Sequence, residues 1–287
     1  MVSHCFAFEA IGTHWQIEIQ DLIPSNYLIQ KEIIKYCQDF DNNYSRFIPA
    51  SQISEMAKKP GIYMVSPIFI ELLGIFFDLF TKTNGFFTPL IGDVLDKAGY
   101  DSTYSFKYNN PTSPPPLSDI VEILDEHTVK INQPYVIDFG GIGKGFLIDK
   151  ISFILQRHKV EAFSINGSGD IYCNNVKQRI GLENPLNKKQ VFGIVTIKNK
   201  SICRSAGNRR SWGDFHHIIN PKTLESPKDI LATWVIAETA TIADALATCL
   251  FLVSPDSLRK QYKFDYLILY PNFSIQKSND FDVELFS

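Results

Sequence analysis

The chain has 287 residues, 45% of them hydrophobic and 21% charged, enough to bury a substantial core and too apolar for a disordered or fibrous protein. Its formal charge of -3 supplies no basic field for following a polyanionic backbone, which argues against nucleic-acid binding. Five scattered cysteines without a C-x-x-C pair read as reduced thiols, the first twenty residues do not resemble a signal peptide, and no run reaches the roughly 18 apolar residues that span a bilayer, so a cytoplasmic protein without a membrane span is expected.

Residues 4 to 20 predict two short strands around Gly12, and Ile29, Ile33, Cys37 and Phe40 give the stretch from 26 to 40 a helical period. Pro67 can start a helix whose apolar stripe runs through Leu72, Leu73, Phe76, Phe77 and Phe80. The segment from 107 to 119 holds Pro111 and the triple Pro114-Pro115-Pro116, which excludes helix and central strand and predicts a surface excursion or subdomain hinge. Tyr135 to Phe139 reads as a strand, followed by a helix with Leu147, Ile151, Ile154 and Leu155 on its buried face. Further strands are expected at 160–165, 191–197, 232–238 and 266–270, with a helix over 239–251. Strands and helices alternate without a regular β-α repeat, which favours an α+β fold.

Between the expected strand and helix at 135–155 lies Asp138-Phe139-Gly140-Gly141-Ile142-Gly143-Lys144-Gly145. Such a turn brings backbone N–H groups and a helix start toward an anion, although it matches neither the P-loop nor the dinucleotide spacing. Asp244 and Thr248 are four apart on the last predicted helix and share one face among alanines. That pair fits a hard-oxygen Mg²⁺ site; the plainer alternative is an aspartate of the first turn with a threonine bonded back to the helix. His216 and His217 are adjacent, so on a strand only one can face a site, as a structural ring or a general base. The turn Asn166-Gly167-Ser168-Gly169-Asp170 and the stretch from Tyr44 to Ser54 fit ligand contacts or plain surface turns. There is no zinc-like Cys/His spacing and no G-x-S-x-G turn.

In their order these motifs resemble the FAD:protein FMN transferase family, the ApbE flavin transferases. The likeness runs from Ala10-Ile11-Gly12-Thr13 through Ser45-Arg46-Phe47, Thr83 to Pro89, Asp138 to Asp149, Asn166 to Asp170 and His217 to Pro221, and ends at Asp244 to Thr248. It implies one flavin-transferase domain over residues 1–287 with a T-fold-like architecture of mixed or antiparallel sheets packed with helices. It also implies FAD as substrate, Mg²⁺ as cofactor, and a flavin-acceptor protein whose Ser or Thr hydroxyl receives FMN as AMP leaves. The resemblance gives His217 the role of base, and gives Gly143, Asp244 and Thr248 the metal. Ile11, Phe47, Phe86, Phe87, Thr88 and Ile218 are implied to contact the flavin nucleotide, with Gly140, Gly141 and Lys144 at its diphosphate. Four positions depart from the family pattern: Ile11 stands for Met, Thr88 for Asp, Asn220 for Asp and Leu224 for Gly. Two other activities fit the same residues, an FAD pyrophosphatase giving FMN and AMP and a non-catalytic FAD-binding protein.

Overall fold

The computed structural model describes residues 4–21 and 26–286. In chain order the elements are β1 (His4–Ala10), β2 (Thr13–Ile19), α1 (Asn26–Tyr44), α2 (Gln52–Met56), β3 (Gly61–Met64), α3 (Pro67–Lys82), α4 (Ile91–Lys97), α5 (Leu117–Ile120), β4 (Val121–Asp125) and β5 (Thr128–Ile131). There follow α6 (Gly143–Arg157), β6 (Phe163–Gly167), β7 (Asp170–Asn174), β8 (Gln178–Asn184), β9 (Asn187–Ile197), β10 (Lys200–Ala206), β11 (Ser211–Trp212) and β12 (Phe215–His216). The last elements are β13 (Ala232–Ala237), α7 (Ala240–Cys249), α8 (Pro255–Arg259), β14 (Asp265–Leu269), β15 (Ile275–Lys277) and β16 (Val283–Leu285).

An eight-stranded sheet in the order β1-β2-β6-β7-β10-β13-β14-β15 is the frame, antiparallel at every pairing. Its strands alternate between two cores, as a period of two dictates. Cys203 and Val235 point to one face, into a large core shared with α1, α3, α6 and α7. Ile202, Trp234 and Ile236 point to the other, where Leu182 and Val195 of the three-stranded sheet β16-β9-β8 cover them. Helices on one face and a second sheet on the other make the α+β architecture expected from the sequence.

Local chemistry sets the element ends. Ser66 caps α3 by accepting the Phe69 N–H, with Pro67 at the first helical position. Thr239 caps α7 in the same way. The helix expected from 26 runs on to Tyr44, and the strand expected from Val160 begins at Phe163, because Val160 N–H still closes the end of α6 on Leu155 O. The proline-rich excursion carries no helix or strand until the short α5.

The strand expected at Tyr135 to Phe139 does not form. Ile137 and Phe139 are buried, which mimics strand alternation. Among the described residues the segment joins no sheet, and Asp138 N–H bonds to Pro89 O in a loop. The segment His217 to Pro221 is likewise irregular, with β12 ending at His216.

Candidate active site

Two helix starts meet at the centre of the site. Near the start of α6, Gly145 has no room for a side chain, since a Cβ there would lie 2.2 Å from Ala240 O and 2.8 Å from Thr241 Cα. This backbone-on-backbone contact lets each helix cap the other. The Gly145 N–H, unpaired within its own first turn, donates to Asp244 Oδ2 of α7 at 3.0 Å. In return, Asp149 of α6 accepts from the N–H groups of Ala240 and Thr241 at 2.8 and 2.9 Å.

That joint places Lys144 and Asp244 side by side. The Lys144 ammonium pairs with Asp170 Oδ2 and stands 3.7 Å from Asp244 Oδ1, with both carboxylates almost fully buried. Asp170 Oδ1 also accepts from Arg204 N–H at 2.9 Å, tying α6 to the central strand β10. Thr248, one turn beyond Asp244, shares a 3.0 Å hydrogen bond with Ser205 of β10. Burial holds the Asp244 carboxyl above the usual range, and the neighbouring Lys144 charge opposes that shift. Lys144 pairs more closely with Asp170 than with Asp244, which leaves Asp244 Oδ1 available to a further cation. Asp244 and the Thr248 hydroxyl are hard oxygen donors of the kind Mg²⁺ takes, and these residues therefore fit the ion implied by the family resemblance. Among the described residues no group of three or more His, Cys, Asp and Glu converges as a cage.

The adjacent histidines divide their roles. His216 donates from Nε2 to Pro227 O at 2.9 Å and accepts the Ile218 N–H on Nδ1 at 3.2 Å, which uses both ring nitrogens structurally. His217 lines the cleft, and its buried Nδ1 has no hydrogen-bond partner. Burial, with Arg210, His216 and Lys144 adding positive charge, pushes its pKa down to about 3, so the ring is a neutral proton acceptor at ordinary pH.

The cleft encloses about 1200 Å³ including its open mouth. Gly140, Gly141, Lys144, Asp244, Thr248, His217 and Ile218 line it together with Phe86, Phe87 and Thr88. Gly141 is required by packing, because a Cβ would lie 2.8 Å from the Phe87 ring. Lys222 sits 4.0 Å over the Phe86 ring, and Thr88 is buried, accepting the Leu90 N–H.

Three expected residues, Ile11, Phe47 and Gly143, are not among those lining this cleft, although Thr13, Gly141 and Lys144 beside them are. Ile11 occupies the β1–β2 turn with φ 45° and packs on the main core. Phe47 stacks on Tyr104 and edges Tyr100, with the Arg46 guanidinium 4.2 Å over its ring. Gly143 is the buried first residue of α6. Arg46 itself reaches behind the glycine turn, donating from Nε to Asp138 at 2.6 Å and from Nη1 to Asp96.

Two departures keep the local backbone. Leu224 adopts the left-handed conformation (φ 62°) that a glycine favours. Asn220 Oδ1 accepts from Lys222 and Thr223 N–H, an acceptor role an aspartate would also fill. Arg204 enters the site without having been singled out by sequence, whereas Asp170 ends the glycine turn noted there and Ser205 opens the Ser205-Ala206-Gly207 motif that precedes the paired histidines in the sequence.

Residues 11–266 match the model of the ApbE family. A protein of Buchnera aphidicola named FAD:protein FMN transferase is 23% identical over 274 residues, covering 85% of this chain and 78% of that protein. A protein of Treponema pallidum with the same name is 28% identical over 182 residues, which are 55% of this chain and 50% of that one. Among solved structures, the ApbE protein of Thermotoga maritima superposes with a TM-score of 0.83 at 22% identity, and flavin transferase ApbE from Vibrio cholerae with 0.82 at 18%, each covering 98% of both chains. The fold is theirs, and with the family model matching most of its length, the chain belongs to the ApbE family.

Proposed function

We propose that this protein is a Mg²⁺-dependent FAD:protein FMN transferase that moves FMN from FAD to a Ser or Thr hydroxyl of an acceptor protein and releases AMP. The observation that carries this reading is the meeting of Lys144, Asp244, Thr248 and the unpartnered Nδ1 of His217 on one cleft with an aromatic wall.

The flavin ring lies against Phe86 and Phe87, and the diphosphate reaches the glycine turn and the start of α6, where N–H groups and Lys144 offset its charge. His217 takes the proton of the acceptor hydroxyl as its oxygen forms a bond to the FMN-side phosphorus. The bond from that phosphorus to the bridging oxygen breaks, and AMP leaves with the electron pair. Asp170 holds Lys144 in place and Ser205 orients the Thr248 hydroxyl. When bound by Asp244 and Thr248, with the Gly143 carbonyl that the family resemblance adds, Mg²⁺ would screen the negative charge of the diphosphate.

Incubation with FAD, Mg²⁺ and a flavin-acceptor domain should give a fluorescent acceptor band that survives a denaturing gel and is lost with EDTA. Free FMN without a labelled band would replace this reading with FAD hydrolysis. FAD recovered intact would replace it with simple binding.

A further inference from the structure

A second cavity, enclosing about 760 Å³ with its mouth, lies on the opposite face of the eight-stranded sheet and shares Gly169, Arg204 and Arg209 with the wall of the active-site cleft. Its main charged group is Arg204, whose side chain is 6% exposed and stacks 5.3 Å over Trp234. Nη1 of Arg204 is bonded to Glu183 at 2.6 Å, whereas Nε and Nη2 are buried and have no partner. Those two atoms form one edge of the planar guanidinium. That edge is the fork that binds a carboxylate through two parallel hydrogen bonds, and leaving it empty when buried is costly. Arg179 also lines the cavity, paired outward with Glu284, and Arg209 stands at the rim. With Arg179 neutralised by Glu284, Arg204 and Arg209 against Glu183 leave the lining a positive balance.

The other wall is β8, an edge strand of its sheet, which presents Gln178 to Gly181 to the cavity. An edge strand can pair with an extended polypeptide, and a cavity beside it can then hold one of that polypeptide's side chains. We propose that this cavity recognises the acceptor protein: an extended acceptor segment lies along β8, and an Asp or Glu near its target hydroxyl binds the free edge of Arg204. The inference rests on the transferase reading, since only that reaction requires a polypeptide to bring a hydroxyl to the adjoining cleft. Arg209, held to Ser168 O at 3.1 Å and to Glu183 at a long 3.4 Å, is the rim side chain that moves aside on entry.

The test uses the full chain with FAD, Mg²⁺ and a library of dodecapeptides carrying a central Ser or Thr, with flanking positions randomised among Asp, Asn, Glu, Gln, Ala and Lys. Flavin-labelled peptides are identified by mass spectrometry. Wild type should enrich Asp or Glu at one fixed distance from the hydroxyl by about tenfold, which is roughly one charge-assisted hydrogen bond. Arg204→Gln should abolish that enrichment, and Arg204→Lys, which keeps the charge without the fork, should leave only part of it. The enrichment is a ratio among peptides in one tube and so does not depend on a variant's overall rate. If Arg204→Gln does not fold, the result with Arg204→Lys decides. Labelling without acidic preference, or a preference unchanged in both variants, overturns the inference while leaving the transferase reading standing. Free FMN with no labelled peptide overturns both.

Discussion

Gly145→Ala tests the joint on which the site is built. The new Cβ would stand 2.2 Å from Ala240 O, about 1 Å inside the distance at which nonbonded atoms repel, so α7 must retreat by about that much or α6 must tilt. Overpacking of this kind costs roughly 1–3 kcal/mol, and the helix propensity gained over glycine returns at most about 1 kcal/mol. A net loss near 1–2 kcal/mol leaves a domain of ordinary stability folded. Activity should suffer more. α7 carries Asp244 and Thr248 while α6 carries Lys144, and a misplacement of about 1 Å between reacting groups costs on the order of 100-fold. Urea denaturation gives the first number, and the rate of covalent FMN transfer at saturating FAD gives the second. Gly74→Ala is the control, because a Cβ at this mid-α3 position meets nothing within 4 Å and should stabilise the protein by several tenths of a kcal/mol. A Gly145→Ala protein with stability within about 0.5 kcal/mol of wild type and transfer within threefold would refute the reasoning.

Asp244→Asn keeps an acceptor for the Gly145 N–H but removes the carboxylate charge, so if the proposed Mg²⁺ role holds, turnover in Mg²⁺ should fall by about 100-fold or more; an unaltered Mg²⁺ titration would remove Asp244 from the proposed metal site. Arg46→Ala strands Asp96 and Asp138, both paired to a guanidinium that is 3% exposed, and should cost about 3–5 kcal/mol in a denaturant titration; a loss below about 1 kcal/mol would count against this buried pair. The folded His217 stays neutral down to about pH 3, whereas the unfolded ring takes a proton near 6.5. The unfolded state therefore binds more protons between those values, and His217 makes stability fall as pH drops from about 6.5 toward 3. His217→Phe should flatten that part of the stability profile, and an identical slope in the variant would contradict the burial of this ring.

Much of the frame was legible because it is written in local periodicity. The apolar stripe after Pro67, the alternation around Gly12 and the run from Thr239 became α3, the β1–β2 hairpin and α7. The same alternation misled at Tyr135 to Phe139, where alternate burial comes from loop packing and the segment joins no sheet among the described residues. Of the site, sequence spacing put Asp244 and Thr248 on one helix face, and the glycine turn marked the start of α6. It did not show that Asp170 would pair with Lys144, or that Asp149 and Asp244 would cap each other's helices. Those bonds join residues 26, 91 and 99 positions apart, and no local pattern encodes such pairings. The choice between His216 and His217 likewise depended on Pro227 O and Ile218 N–H being in place to occupy the first ring.

The reciprocal caps also bear on synthesis. While the ribosome is still making the chain, α6 and the strands through β13 precede α7, and until Asp244 emerges the Gly145 N–H lacks its carboxylate and Lys144 one of its two counter-charges. A nascent chain ending before α7 would hold most of the sheet and no working centre, so competence arrives in a single late step instead of growing with length. A C-terminal truncation into α7 should then behave as a chain missing the whole active site, although it removes neither Lys144 nor His217.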